Sequence, residues 1–364
     1  MCAAVIIAGA AETASSFQLV DTGITGIYKF NGAALTGDGR VVFAPYNADG
    51  VGVFDPTNDI FTLLDISAKI SMGAKFVGAA LAGDGRVVFA PENADGVGVF
   101  DPRDDSFTLL DISAKISSDI KFLFAAPAGD GRVVFGPFNA DGVGVFDPTN
   151  DSFSLVDISA TISTDLKFAG AALTGDGRVV FAPYNADGVG VFDPTNDNFT
   201  LVDTGITGTY KFWGAALAGD GRVVFAPRNA NGVGVFDPRD DNFTLLDISN
   251  TISGPNKFRE VALALDGRMV FAPDAAAGVG VFDPTNDSFT LVNIGDTISM
   301  DHKFSGATLV GDGRIVFAPF SADGVGVYSY PLPPALPNCT SCEAKLHGYG
   351  LIVDRIVKGE CVEG

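Results

Sequence analysis

The chain is poor in the side chains that most often do chemistry. Its 364 residues include only two histidines, His302 and His347, and four cysteines, Cys2, Cys339, Cys342 and Cys361. Near the C-terminus these fall as Cys339-x2-Cys342-x4-His347, with Cys361 further on. That run opens like a zinc knuckle, offering thiolates and an imidazole to a tetrahedral ion, but the interval before Cys361 is too long for the knuckle. Tail disulfides or free thiols are the alternative expectation. His302 stands by itself in a loop before Lys303. No GxSxG elbow, HExxH helix or phosphate-binding loop occurs, so no catalytic residue is assigned.

Carboxylates are the abundant reactive groups. Asp and Glu number 44 against 23 Lys and Arg, a net charge of −21. Such a balance leaves no basic surface to displace counterions from phosphates, which excludes most nucleic-acid binders. Twenty-one of the acids fall in Gly-Asp-Gly, Asp-Pro and following turns, opposed by nine arginines. A face built from them could hold Ca²⁺ weakly through carboxylate and carbonyl oxygens. Equally, each Asp could cap the amides of its own turn, and no cofactor is then needed. Lysine also recurs, at Lys29, Lys75, Lys121, Lys167, Lys211, Lys257 and Lys303. A ring of seven ammonium groups could hold an anion at a channel mouth. The competing expectation pairs them with Asp21, Asp65, Asp111, Asp157, Asp203 and Asp247.

These regularities come from an internal repeat. Gly37-Asp38-Gly39-Arg40-Val41-Val42-Phe43-Ala44-Pro45 returns six more times with small changes, its arginine falling at 40, 86, 132, 178, 222, 268 and 314. Spacings of 46 and 44 residues suit a propeller blade and exceed the leucine-rich, ankyrin and tetratricopeptide periods. Each unit divides into four short apolar runs between turn residues, Phe30–Thr36, Arg40–Ala44, Gly50–Phe54 and Phe61–Ile66 in the first. Glycines in Gly37-Asp38-Gly39 and a left-handed Gly50 are expected to close the first two turns. A spare fourth-strand sequence, Phe17–Asp21, precedes the first unit, and the last unit stops after its third strand. The expected fold is therefore all-β: a seven-bladed β-propeller of four-stranded antiparallel blades, closed by an N-terminal strand that completes the last blade. It spans residues 17–330, between an apolar segment (1–16) and a Pro-rich, Cys-containing tail (331–364).

The pattern GDGRVVFAP…NADGVGVFDPTNDxFTLVD resembles the streptogramin (virginiamycin B) lyase-like and NHL/YVTN-type propellers over about residues 17–330. For activity, the resemblance implies histidines, carboxylates and a metal on one face of the ring. With His302 the one histidine inside the repeats, that constellation does not transfer residue by residue.

Differences among near-identical blades show where the chain individualises itself. The residue after Ala-Pro or Gly-Pro reads Tyr46, Glu92, Phe138, Tyr184, Arg228, Asp274 and Phe320. The residue after Lys-Phe reads Asn31, Val77, Leu123, Ala169, Trp213, Arg259 and Ser305. Both columns are expected on the face of the Asn-Ala-Asp-Gly loops, where mixed aromatics and arginines make a recognition surface. The leading expectation is a non-enzymatic binding or scaffold propeller that engages a protein partner through this face and its tail. The alternatives are a metal-dependent lyase or hydrolase, and a receptor for a sugar or small anion at the channel mouth. Ala3–Ala11 is too short to span a bilayer. It carries no basic residue and could be the remnant of a targeting segment, so secretion and organelle import stay open beside a soluble location.

Overall fold

The structure, a computed structural model, describes residues 15–331. Cys2, Cys339, Cys342, His347 and Cys361, with the calls made on the two terminal segments, lie outside the described residues. Seven four-stranded antiparallel sheets follow one another along the chain. In blade one the strands are Phe30–Leu35, Val41–Pro45, Gly50–Asp55 and Ile60–Asp65, running from the channel outward. The second and third strands are buried almost throughout, because neighbouring blades cover both faces of each sheet; the outer strand alternates. Two-sided burial is why Val-Val-Phe-Ala reads as an unbroken apolar run. The core is thus divided into sectors between blades. Val42, Ala44, Val51 and Val53 of blade one, for example, meet Phe76, Val87, Phe89 and Phe100 of blade two.

Three phenylalanines knit each sheet. In blade one the Phe30 and Phe43 rings lie 5.9 Å apart, and Phe61 meets Phe30 edge-on at 5.8 Å. Gly52 makes room for them: a Cβ there would sit 2.9 Å from the Phe30 ring. Gly39 supplies the expected positive φ, +89°, in the first turn. Gly50 does not, contrary to expectation; it is glycine because a Cβ would come within 2.5 Å of the Leu64 carbonyl. Ring closure is as expected. Ser16–Asp21 pairs with Gly324–Ser329 in register from Ser16↔Ser329 to Asp21↔Gly324. Phe17 then completes the phenylalanine trio of blade seven, 5.8 Å from Phe304.

The face of the Gly-Asp-Gly and Asp-Pro turns is a ring of latches. Arg40 Nε donates to Asp38 of its own turn (2.9 Å), Nη1 to Asp105 of the next blade (2.8 Å) and Nη2 to the Pro102 carbonyl (2.6 Å). The arrangement repeats through Arg86, Arg178, Arg222 and Arg314. Arg268 departs from it, because blade seven has no Asp-Pro turn. Its guanidinium lies over Tyr330 at 5.5 Å, and the Tyr330 hydroxyl accepts from the Leu265 N–H at 2.6 Å. The aspartates of this face cap turns and receive arginines. Among the described residues no three His, Cys, Asp or Glu side chains gather as a metal site requires. Nor, among them, is any helix long and apolar enough to cross a membrane.

Candidate recognition site at the channel mouth

Every inner strand carries a β-bulge near its start, just after the first phenylalanine in six blades, as between Phe30 and Ala33 in blade one, and one residue later, between Val77 and Ala79, in blade two. Bulges re-aim side chains, and here the re-aimed ones are the residues after Lys-Phe. Just below them, Gly32, Gly78, Gly170, Gly214 and Gly306 let neighbouring inner strands touch: a Cβ on Gly32 would lie 2.5 Å from the Gly78 Cα. Phe124 and Glu260 stand in the two remaining places of that tier.

Above it the two variable columns converge and fill the mouth. Most of these residues are buried, contrary to the exposed surface expected from sequence: Asn31, Glu92, Phe138, Tyr184, Trp213, Arg259, Asp274 and Phe320 are all 8% exposed or less. Tyr46 and Arg228 remain half-buried. Convergence around a narrow axis is the cause, since seven side chains per tier leave little room for water. The plug has two halves. Blades two to five contribute an apolar cluster of Val77, Leu123, Phe124, Phe138, Ala169, Tyr184 and Trp213. Blades five to seven contribute charge. The buried Asp274 carboxylate accepts from Arg259 Nε at 3.0 Å and from His302 Nδ1 at 2.9 Å. Arg259 lies 4.7 Å from the Trp213 ring and 4.2 Å from that of Phe320, while Arg228 covers Trp213 at 4.5 Å. Asn31 and Ser305 close the ring with a hydrogen bond.

Two carboxyls in the plug are held near neutrality. Burial pushes Glu92 up to about 7, against the opposing pull of the Tyr46 hydroxyl, Arg259 and Lys121. Burial pushes Glu260 up to about 8, with the backbone N–H groups of Val261 and Ala215 as its only opposing partners.

The lysine ring is corrected on both expectations. All seven lysines are 2% exposed or less, so no ammonium ring faces the mouth. Their Nζ atoms are spent on backbone carbonyls: Lys75 donates to Met72 (2.7 Å), Lys121 to Ser118 (2.9 Å), Lys257 to Gly254 (2.8 Å) and Lys303 to Ala276 (2.9 Å). The fourth-strand aspartates cap their own turns, as Asp65 accepts from the Ser67 N–H. The charge that five of the lysines feel is instead the Asp of the preceding blade's loop, as with Asp49 for Lys75 and Asp95 for Lys121, whereas Lys303 feels Asp301 and Asp274. Lys257 has Asn231 in that place, and burial lowers it to about 8.

Sequence reasoning missed a third column. The residue before each lysine, Tyr28, Ala74, Ile120, Leu166, Tyr210, Asn256 or His302, adopts a left-handed conformation with φ between 50° and 58°. For a β-branched residue such as Ile120 this is a strained state that the surroundings must impose. They do so through the loop asparagines: Asn47 Oδ1 accepts from the Ala74 N–H and Asn93 Oδ1 from that of Ile120, both at 2.9 Å. Tyr28 uses Ser321, and His302, beyond Ala275, is held by Asp274 through its ring. This column forms the rim. The Tyr28 ring packs at a tilt against Phe320 at 4.7 Å, and Tyr210, 41% exposed, against Tyr184 at 4.9 Å. The missed signal was periodic variation one residue before Lys, with no glycine to announce the positive φ.

Comparison of the sequence with family models and with curated proteins finds no match. Solved structures do match. A streptogramin B lyase superposes with a TM-score of 0.73 at 15% identity, covering 88% of this chain and 100% of that one. The fold is that of the streptogramin B lyase-like propellers. A catalytically inactive virginiamycin B lyase from Staphylococcus aureus with quinupristin matches at 0.72 and 15%, over 86% and 99% of the two chains. The propeller also resembles the extracellular domain of a hybrid two-component system from B. thetaiotaomicron, at 0.67 and 14% identity, over 88% of this chain and 43% of that one. At such identities a lyase-like propeller shares architecture, while its site is its own.

Proposed function

We propose that this lyase-like propeller is a recognition module that engages a protein partner with its channel mouth. What supports the reading is the ring of exposed Tyr210 and half-buried Tyr28, Tyr46, Arg228 and His302 around a filled centre. Tyr and Arg anchors on a rigid base are the residues that carry binding energy at protein interfaces. The hydrogen bonds that the Tyr28 N–H donates to Ser321 and the Tyr210 N–H to Asn185 also hold these two rim tyrosines in place before binding, which reduces the entropy lost on association.

Gel filtration of native extract tests this. The wild-type chain is expected in an assembly well above its own 37.6 kDa, and the triple variant Tyr28→Ala, Tyr46→Ala, Tyr210→Ala at its own mass with a native melting curve. Unchanged elution of that variant would rule the mouth out.

A second reading, acid–base chemistry, is favoured by one observation: His302 is oriented by a buried carboxylate that Arg259 in turn fixes. It predicts that His302→Ala abolishes an activity while leaving elution as in wild type; the recognition reading predicts weakened assembly.

A further inference from the structure

We propose that the mouth over blades five and six holds a carboxylate carried on a flat apolar body, gripped by Arg228 beside the indole of Trp213. This deepens, and rests on, the reading of the mouth as a recognition surface.

Among the described residues, Arg228 is the one arginine of eleven without a carboxylate within 4.0 Å. Its Nε and Nη1 are buried with no acceptor, and so is Nε1 of Trp213, the residue it covers. A guanidinium removed from bulk solvent with no counter-charge carries a desolvation cost that an anion brought to it would offset. Arg259 adds a second positive charge near the same indole, and the one carboxylate at hand, Asp274, is engaged by Arg259 and His302.

The repeat supplies an independent observation. Five of the seven blades place Asp at the third position of the loop that follows the mouth residue, as Asp49 does in blade one. Blades five and six, whose loops directly follow Arg228 and Asp274, carry Asn231 and Ala277 there. In a chain of net charge −21, the loops of these two blades therefore bring no carboxylate at that position, and an incoming anion meets no repulsion from them.

The planar fork of a guanidinium fits a carboxylate with two parallel hydrogen bonds. Tyr184, 5.8 Å from Arg228, and the half-exposed Tyr210 packed against it offer an apolar wall for the body that carries the carboxylate. Two sources share this chemistry: a free aromatic acid, and the C-terminus of a partner that ends in an aromatic residue.

Trp213 is the only tryptophan of the chain, so its fluorescence reports on the site without background. The full-length protein is titrated at constant ionic strength with benzoate, with acetyl-Gly-Phe as the free acid, and with the same peptide as its amide. A saturable change in emission is expected with benzoate or the free-acid peptide and not with the amide or chloride. Tighter binding of benzoate points to a small-molecule ligand, and tighter binding of the peptide acid to a chain terminus. Arg228→Met is expected to weaken binding about tenfold or more, read by calorimetry because the substitution also alters the surroundings of Trp213. Arg228→Lys, which keeps the charge and loses the fork, serves if the Met variant fails to fold, and is expected to bind less tightly than wild type. No saturable response in the wild type, or equal affinity for acid and amide, would overturn the proposal. If either occurs while the triple tyrosine variant still loses its assembly, the recognition reading stands and the carboxylate site alone falls.

Discussion

At the scale of single residues, the mouth concentrates groups whose charge state the fold has shifted. Glu92 and Glu260 have pKa values raised to about 7 and about 8, both by burial. In the unfolded chain both would titrate near the ordinary carboxylate value. Between that value and pH 7 to 8 the folded state keeps protons that the unfolded state releases, so stability is full at the acid end of the window and falls as pH rises through it. Asp101, drawn down to about 2 by its hydrogen bond to Arg103, acts oppositely and loses its contribution only in strong acid. The melting temperature is therefore expected to be higher at about pH 5.5 than at about pH 8, and Glu260→Gln should shrink that difference. A wild-type melting temperature that rises or stays flat over this interval would show that neither carboxyl is held neutral.

At the scale of elements, most blades are tied to the next on two faces by different devices. Loop asparagines hold the rim on one face; arginines hold the turns on the other. The arginine latch is more than a surface ion pair, since Arg178 is one-quarter exposed, pairs with Asp176, and bonds the Pro238 carbonyl of the following blade. Arg178→Ala leaves that carbonyl without its donor and is expected to cost about 1–2 kcal/mol in urea unfolding. Arg103→Ala is the control: Arg103 is 68% exposed and pairs only with Asp101 of its own turn, so no measurable loss is expected. Equal effects for the two substitutions would mean that the link between blades contributes nothing.

For the molecule as a whole, closure is the decisive contact. Ser16–Asp21 supplies the outer strand of blade seven, and without it the strand Gly324–Ser329 would present a row of unpaired backbone groups. Phe17 would also leave Phe304 and Phe317 without their partner. Removal of residues 1–21 is expected to give aggregates in place of a monodisperse species in gel filtration. A monodisperse, cooperatively melting truncation product would show that the ring holds without this strand.

The sequence by itself determined the ring. A repeat of 46 residues with four apolar runs and a spare strand leaves one way to bury every sheet, and strand positions, blade number and closure follow from local patterning and strict periodicity. It also marked which positions differ between blades, because near-identical copies serve as their own comparison. Tertiary structure alone decided what those positions do. Whether Trp213, Arg259 and Asp274 face solvent or one another depends on how seven bulged strands converge on an axis, a geometry that no single repeat contains. The lysines read as an open ring or as partners of the fourth-strand aspartates for the same reason: their burial comes from carbonyls of the loops around them, as Lys75 donates to Met72 and Lys303 to Ala276. The rim was illegible because a positive φ at Tyr28 or Ile120 is imposed by a hydrogen bond from another blade and leaves no glycine behind it.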